Sequence, residues 1–118
     1  MTTPEFTKGT SPLEYLERAD REMAAGNGQE AAGLMWQAIE ATIVGQAKDK
    51  GIAEADLRKM ALALDSGAPE EKRWYMDSIV TGVTLWEHAK AELMEEYELE
   101  LAYELSREFV VGYYGEHK

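Results

Sequence analysis

The two histidines, His88 and His117, bound the chemistry this 118-residue chain can carry. If the helix around it is continuous, His88 shares a face with Glu92 and Glu96 at i, i+4 and i+8, a spacing that could hold a divalent ion loosely. A di-metal bundle requires two Glu-x-x-His pairs and further inward Glu, and neither histidine has a Glu three residues before it. A solvated acidic face is therefore the expectation, with no metal and no cofactor. Ser11, Ser66, Ser78 and Ser106 lack a Gly-x-Ser-x-Gly context, and two histidines leave little from which to build a triad. Gly26-Asn27-Gly28 has neither the spacing nor the Lys of a phosphate-binding loop, so it reads as turn chemistry. The absence of Cys removes thiolate metal sites, cysteine nucleophiles and disulfides together. No catalytic residue is expected, and the chain reads as a non-enzyme.

Charge is the more informative property. Twelve Lys and Arg against 23 Asp and Glu leave a formal charge of −11. Such a chain is repelled by phosphate backbones and anionic lipid unless a local basic patch intervenes. The nearest candidate, Lys72-Arg73 beside Trp74-Tyr75, is neutralised by Glu70, Glu71 and Asp77. Direct contact with nucleic acid or membrane is not expected. Residues 92–118 hold eight Glu and two bases, so −6 of the −11 sits in that stretch. Glu96, Glu100, Glu104 and Glu108 follow one another at i, i+4, which costs a few tenths of a kcal/mol, about 0.2–0.5, per like-charged pair in an isolated helix. Beside them, Phe109-Val110-Val111-Gly112-Tyr113-Tyr114 carries apolar side chains on more than one side, more than an inner stripe needs, as at a subunit or partner contact. Glu96, Glu100, Glu104, Glu108, Tyr113 and Tyr114 form the candidate partner-binding face.

Helices must position these groups. Ser11-Pro12-Leu13-Glu14 has the form of a capping box with Pro at the first helical position. Leu13, Leu16, Ala19 and Met23 recur at helical spacing until Gly26-Asn27-Gly28 stops the run. A second helix is predicted over Gln29–Lys50, with Ala31, Met35, Ala38, Ile39, Thr42, Ile43 and Gln46 inward. A third spans Ile52–Leu64, with Leu57, Met60, Ala61 and Leu64 apolar. From Pro69 the pattern is helical nearly to the end, with one wide stripe of Trp74, Met76, Ile79, Val80, Val83 and Trp86, extending toward Leu93, and another of Leu101, Leu105 and Phe109. Forty-five residues is too long for one helix in so small a domain, which predicts a break between Ala89 and Tyr97. The β-branched run at Ile79–Leu85 has no second strand to pair with, and an isolated strand leaves its backbone unsatisfied. The prediction is all-α, one antiparallel bundle of four to five helices. It divides into a flexible leader (residues 1–10), the bundle domain (11–114) and a short tail (115–118). The first ten residues lack the basic and apolar regions of a signal peptide, and no uncharged run approaches a membrane span. A cytoplasmic location is expected.

Three segments together, Leu16-Glu17-Arg18-Ala19, Gly26-Asn27-Gly28-Gln29-Glu30-Ala31-Ala32 and Trp36-Gln37-Ala38-Ile39, resemble the opening hairpin of a HEPN domain, PaREP1-like branch. The same hairpin is similar to a single tetratricopeptide repeat, although an array needs several copies. The HEPN resemblance extends to Gly82–Tyr97, which is similar to that family's long helix ending near a His-containing turn. It implies a helical bundle, commonly a dimer. Its ribonuclease members carry Arg followed four to six residues later by His, the imidazole moving protons and the guanidinium holding phosphate. Here fourteen residues separate Arg73 from His88 and nine separate Arg107 from His117. The departure points to the non-catalytic members.

The leading expectation is thus a HEPN-like, non-enzymatic protein-interaction module. It would form a homodimer and bind a protein partner, a basic one, through its acidic and aromatic C-terminal face. The alternatives are an acidic inhibitor or immunity-type protein that blocks a basic nuclease or nucleic-acid-binding protein, and a degenerate HEPN ribonuclease that brings Arg73 to His88. A small-molecule pocket at Trp36, Trp74 or Trp86 is the remaining possibility.

Overall fold

The computed structural model describes residues 11–70 and 73–114, without the side chains of Tyr113 and Tyr114. The leader at 1–10, the tail at 115–118 and Lys72 lie outside the described residues. Within them the chain is five helices and no strand: α1 Pro12–Ala24, α2 Gly28–Asp49, α3 Leu57–Ser66, α4 Tyr75–Ala91 and α5 Glu96–Tyr114. The all-α bundle is what the helical periodicity predicts.

The capping box forms as read. Ser11 Oγ accepts from Glu14 N–H at 3.2 Å, and Glu14 Oε1 accepts from Ser11 N–H at 2.9 Å. The turn into α2 depends on Gly26, whose φ of +87° lies in the left-handed region that side chains resist. α2 is the central helix and packs against the other four. Its buried Ala31, Ala32, Ala38, Ala41 and Ala47 let neighbours approach closely, while Met35, Ile39 and Ile43 fill the core.

The third and fourth helices start later than predicted. Asp56 Oδ1 accepts from Lys59 N–H at 2.9 Å, so α3 begins at Leu57 and Ile52–Asp56 is a linker. Asp65, in the last turn of α3, caps the next helix: its two carboxylate oxygens accept from Tyr75 N–H at 3.0 Å and Met76 N–H at 3.1 Å. That cap starts α4 at Tyr75 rather than just after Pro69.

The predicted inner stripes of α4 and α5 are rotated in the structure. α4 buries Tyr75, Ser78, Ile79, Gly82, Leu85 and His88, while Val80 is 63% exposed and Trp86 stands under Lys90 Nζ, 3.5 Å from its ring centre. Gly82 causes the rotation: a Cβ there would stand 2.5 Å from Trp36 and 2.8 Å from Ile39, so only glycine lets α4 settle onto α2 along this edge. α5 buries Leu99, Ala102, Tyr103, Ser106, Phe109 and Val110 and leaves Leu101 62% exposed. Phe109 alone of its predicted stripe is in the core, held edge-on by Trp74 and Tyr75.

Glu40 on α2 is half-buried and has no side-chain hydrogen bond or ion pair among the described residues. Burial pushes its carboxyl up to about 7 from an ordinary 4.5. Because folding favours the protonated form, stability falls as pH rises from about 4.5 through 7. Solvent on the open side reduces the full linkage energy of that shift to about 1 kcal/mol. Urea melts of wild type and Glu40→Gln should therefore converge near pH 4.5 and differ by that amount at pH 8, with the variant more stable. Equal pH slopes would contradict the assignment.

Candidate functional site

The break between α4 and α5 is the centre of the site. Glu92 closes α4 in the left-handed conformation, φ 53° and ψ 55°, and its N–H donates to His88 O at 2.7 Å. His88 Nδ1 accepts from Met94 N–H at 2.9 Å, and Glu98 Oε1 accepts from Glu95 N–H at 2.8 Å to begin α5. The His88 imidazole, the Glu98 carboxylate and the left-handed backbone of Glu92 thus do the work of the Gly or Pro that the break lacks. Left-handed φ and ψ cost a side-chain-bearing residue roughly 1–2 kcal/mol, partly offset by the entropy glycine would lose. Glu92→Gly should then stabilise the fold by about 0.5–1 kcal/mol in urea unfolding; destabilisation would show that the Glu92 side chain is required at the joint.

Opposite the joint lies the α1–α2 turn, and between them is a cleft of about 730 Å³. Glu22 from α1, Glu30 from α2, Glu92 from the joint, and Glu96 and Glu100 from α5 line it, together with His88, Met23, Met94 and Leu99, and among the described residues no Lys or Arg does. The helix break separates His88, Glu92 and Glu96 from the continuous face on which a metal site would depend, yet all three meet in this cleft. Among the described residues no three His, Asp or Glu side chains are close enough together to hold a metal ion. Gln29 Nε2 reaches His88 O and Ala89 O at 3.4 Å, tying the start of α2 to the end of α4.

The acidic row is exposed throughout, but it does not lie along one groove. Steps of four residues turn about 40° around a helix, so three steps carry the row about 120° round α5. Glu96 and Glu100 border the cleft, Glu100 and Glu104 border a second groove against α1, and Glu108 borders a separate, apolar groove of about 290 Å³ against α4. The backbones of Tyr113 and Tyr114 complete the last turn of α5, and their side chains lie outside the described residues.

Arg107 is the one base in α5, and it faces α1. Its guanidinium bonds both oxygens of Asp20, with Nη2 2.9 Å from Oδ2, and Tyr103 Oη donates to Asp20 Oδ1 at 2.7 Å. Burial alone would raise the Asp20 carboxyl; the hydrogen bonds from Arg107 and Tyr103 and the guanidinium charge outweigh it and hold the group below its ordinary range. Burial and the bond to Asp20 push the Tyr103 hydroxyl up, and the Asp20 bond raises Arg107 against the opposing effect of burial. Local pattern gives no sign of this cluster, because Asp20 and Arg107 are 87 residues apart.

The other candidate groups stay dispersed. Arg73 donates through Nε to Ala68 O before α4 begins, and His88 stands in its last turn. Roughly 20 Å of helix separates Tyr75 from His88, so folding does not bring Arg73 to His88. Trp36 packs at Gly82, Trp74 at Phe109 and Gly112, and Trp86 under Lys90, so the three tryptophans do not converge on one pocket.

Fold and site define the class as a small all-α bundle with an acidic cleft at one end. Among the described residues no helix is long and apolar enough to cross a membrane. Comparison with family models, curated proteins and solved structures finds no match.

Proposed function

We propose that this chain is a non-enzymatic, HEPN-like protein-interaction module that binds a basic protein partner through the acidic side of α5. One observation carries the proposal: Arg107, the only base on α5, is tied to Asp20 and its charge acts through space on Glu104, while Glu96 and Glu100 are in no ion pair among the described residues. Glu22, Glu30 and Glu92 extend their negative charge across the adjoining cleft. A continuous acidic surface steers a basic protein toward it and speeds encounter. A homodimer through this same side would set like charges against each other, which favours a basic partner over a second copy.

The test begins with a pull-down at low and high salt and continues with association rates for the captured partner. Glu100→Lys with Glu104→Lys should slow association about tenfold at low salt and flatten its salt dependence, whereas Glu108→Lys, round the helix, should change little. An unchanged rate in the double variant would remove this surface from consideration. Loss of a captured enzyme's own activity on binding would define the module as an inhibitor.

A further inference from the structure

We infer that the cleft between the α1–α2 turn and the α4–α5 joint is a binding site for a Lys- or Arg-containing peptide segment. In it, His88 Nε2 donates to a backbone carbonyl beside the basic side chain. This inference rests on the basic-partner proposal and gives that partner a specific contact. The cleft has two kinds of recognising group. Glu30, Glu92, Glu96 and Glu100 supply carboxylates, and among the described residues none of them is in an ion pair and no base lines the walls. Acidic residues alone would attract any cation, so the second kind of group decides the ligand.

That group is His88, which lines the cleft although only 4% exposed. Its Nδ1 accepts from Met94 N–H, which places the ring proton on Nε2, at the opposite edge of the imidazole. Nε2 has no hydrogen-bond partner among the described residues, and it is not fully enclosed: among those residues Ser106 Oγ is the one wholly buried side-chain polar atom without a partner. A mostly buried ring that borders an otherwise acidic space thus has a donor with no protein partner among the described residues. Asn27 adds to this, because it caps α2 without a side-chain hydrogen bond and gives its amide to Glu22 instead, at 2.7 Å. The first N–H groups of α2 are left without that cap at the edge of the cleft.

Donors at a helix start ordinarily suit an anion, but the surrounding carboxylates repel one. A neutral acceptor attached to a cation satisfies both sets of groups. A peptide carbonyl next to a Lys or Arg side chain is such a ligand, and the 730 Å³ of the cleft gives it room. A bare metal ion is a poorer match, since no three potential ligands come together. A polyamine would satisfy the carboxylates and leave Nε2 unpaired.

The experiment is an NMR titration of the full chain, following the His88 ring nitrogens and the Met94 amide. Acetyl-Ala-Arg-Ala-amide is the probe, with spermidine and acetyl-Ala-Gln-Ala-amide as controls. The expected result is a saturable shift at His88 Nε2 and Met94 with the Arg peptide only. Its apparent Kd should rise about 3–10-fold in His88→Asn, which keeps an acceptor near Met94 N–H but removes the Nε2 donor. Glu96→Gln, on the exposed first turn of α5, should weaken it similarly and tests the site even if His88→Asn does not fold. Glu108→Gln should leave it unchanged. An equal response to spermidine, or no response at His88, would overturn the inference. Shifts confined to Glu104 and its neighbours would overturn the cleft while leaving the basic-partner proposal standing; no response anywhere on α5 to either cation would remove both.

Discussion

Phe109→Ala is expected to lower the unfolding free energy by about 3–5 kcal/mol, the largest effect of any single change considered for this chain. Phe109 is 1% exposed and stands edge-to-face with two rings, Trp74 at 5.8 Å and Tyr75 at 5.7 Å between centroids. Truncation removes the buried area, leaves a cavity and breaks both aromatic contacts, each worth about 0.5–1.5 kcal/mol beyond area alone. A small domain has only about 5–15 kcal/mol of stability in total, so the variant should melt at a much lower urea concentration with little change in m. Phe109→Leu, which keeps most of the volume, should lose clearly less. A loss under about 1 kcal/mol for Phe109→Ala would mean that the cluster does not seat α5 on α4, and the placement of the acidic row would then be wrong as well.

Asp20→Ala is the second large effect, about 2 kcal/mol, because it removes the common acceptor of Arg107 and Tyr103. Both charged side chains remain partly exposed, 35% for Asp20 and 42% for Arg107, which keeps the figure below that of a fully buried pair. The pH dependence has a definite sign. Asp20 is held below its ordinary 3.8, so its contribution is present above that pH and is lost as pH falls through the lower folded value. Wild type and Asp20→Ala should therefore differ less in strong acid than near pH 7. In a double-mutant cycle, Asp20→Ala and Arg107→Ala should couple rather than add. Additive losses would show that the bidentate pair is not what joins α1 to α5. The cycle also bears on function, since a freed Arg107 would partly neutralise Glu100 and Glu104 and slow association with a basic partner.

Local features of the chain were legible where the physics is local. The capping box at Ser11 and Glu14, the stop at Gly26 and the small-residue face of Ala31 and Ala38 depend on neighbours within a few residues, and they formed as read. The break before α5 was predicted to within a few residues from length alone. Its mechanism was not, because a left-handed Glu92 and an imidazole accepting from Met94 have no composition signal. α3 and α4 started late for a similar reason: Asp65 caps a helix ten residues downstream, across a turn.

The rotations of α4 and α5 show where periodicity stops being informative. Both helices carry apolar residues on more than one side, so Val80, Leu101 and Leu105 fit an inner stripe as well as Leu85 and Ala102 do. The choice was made by contacts between distant residues, Gly82 against Trp36 and Ile39, and Tyr103 and Arg107 against Asp20. The same rotation decides which acids belong together. An i, i+4 run places Glu96, Glu100, Glu104 and Glu108 in sequence order along an edge, but the 40° drift per step sends Glu108 toward another groove. Glu22 and Glu30 reach the cleft only because the α1–α2 turn packs against the α4–α5 joint.

Helical class, the acidity of residues 92–118 and the absence of complete catalytic motifs follow from composition and spacing, since each depends on residue type or on neighbours one or two turns away. The cleft, the place of His88 in its wall and the pairing of Arg107 with Asp20 exist only in the folded chain. They join groups from four helices, and nothing short of packing those helices brings such distant residues within hydrogen-bond reach.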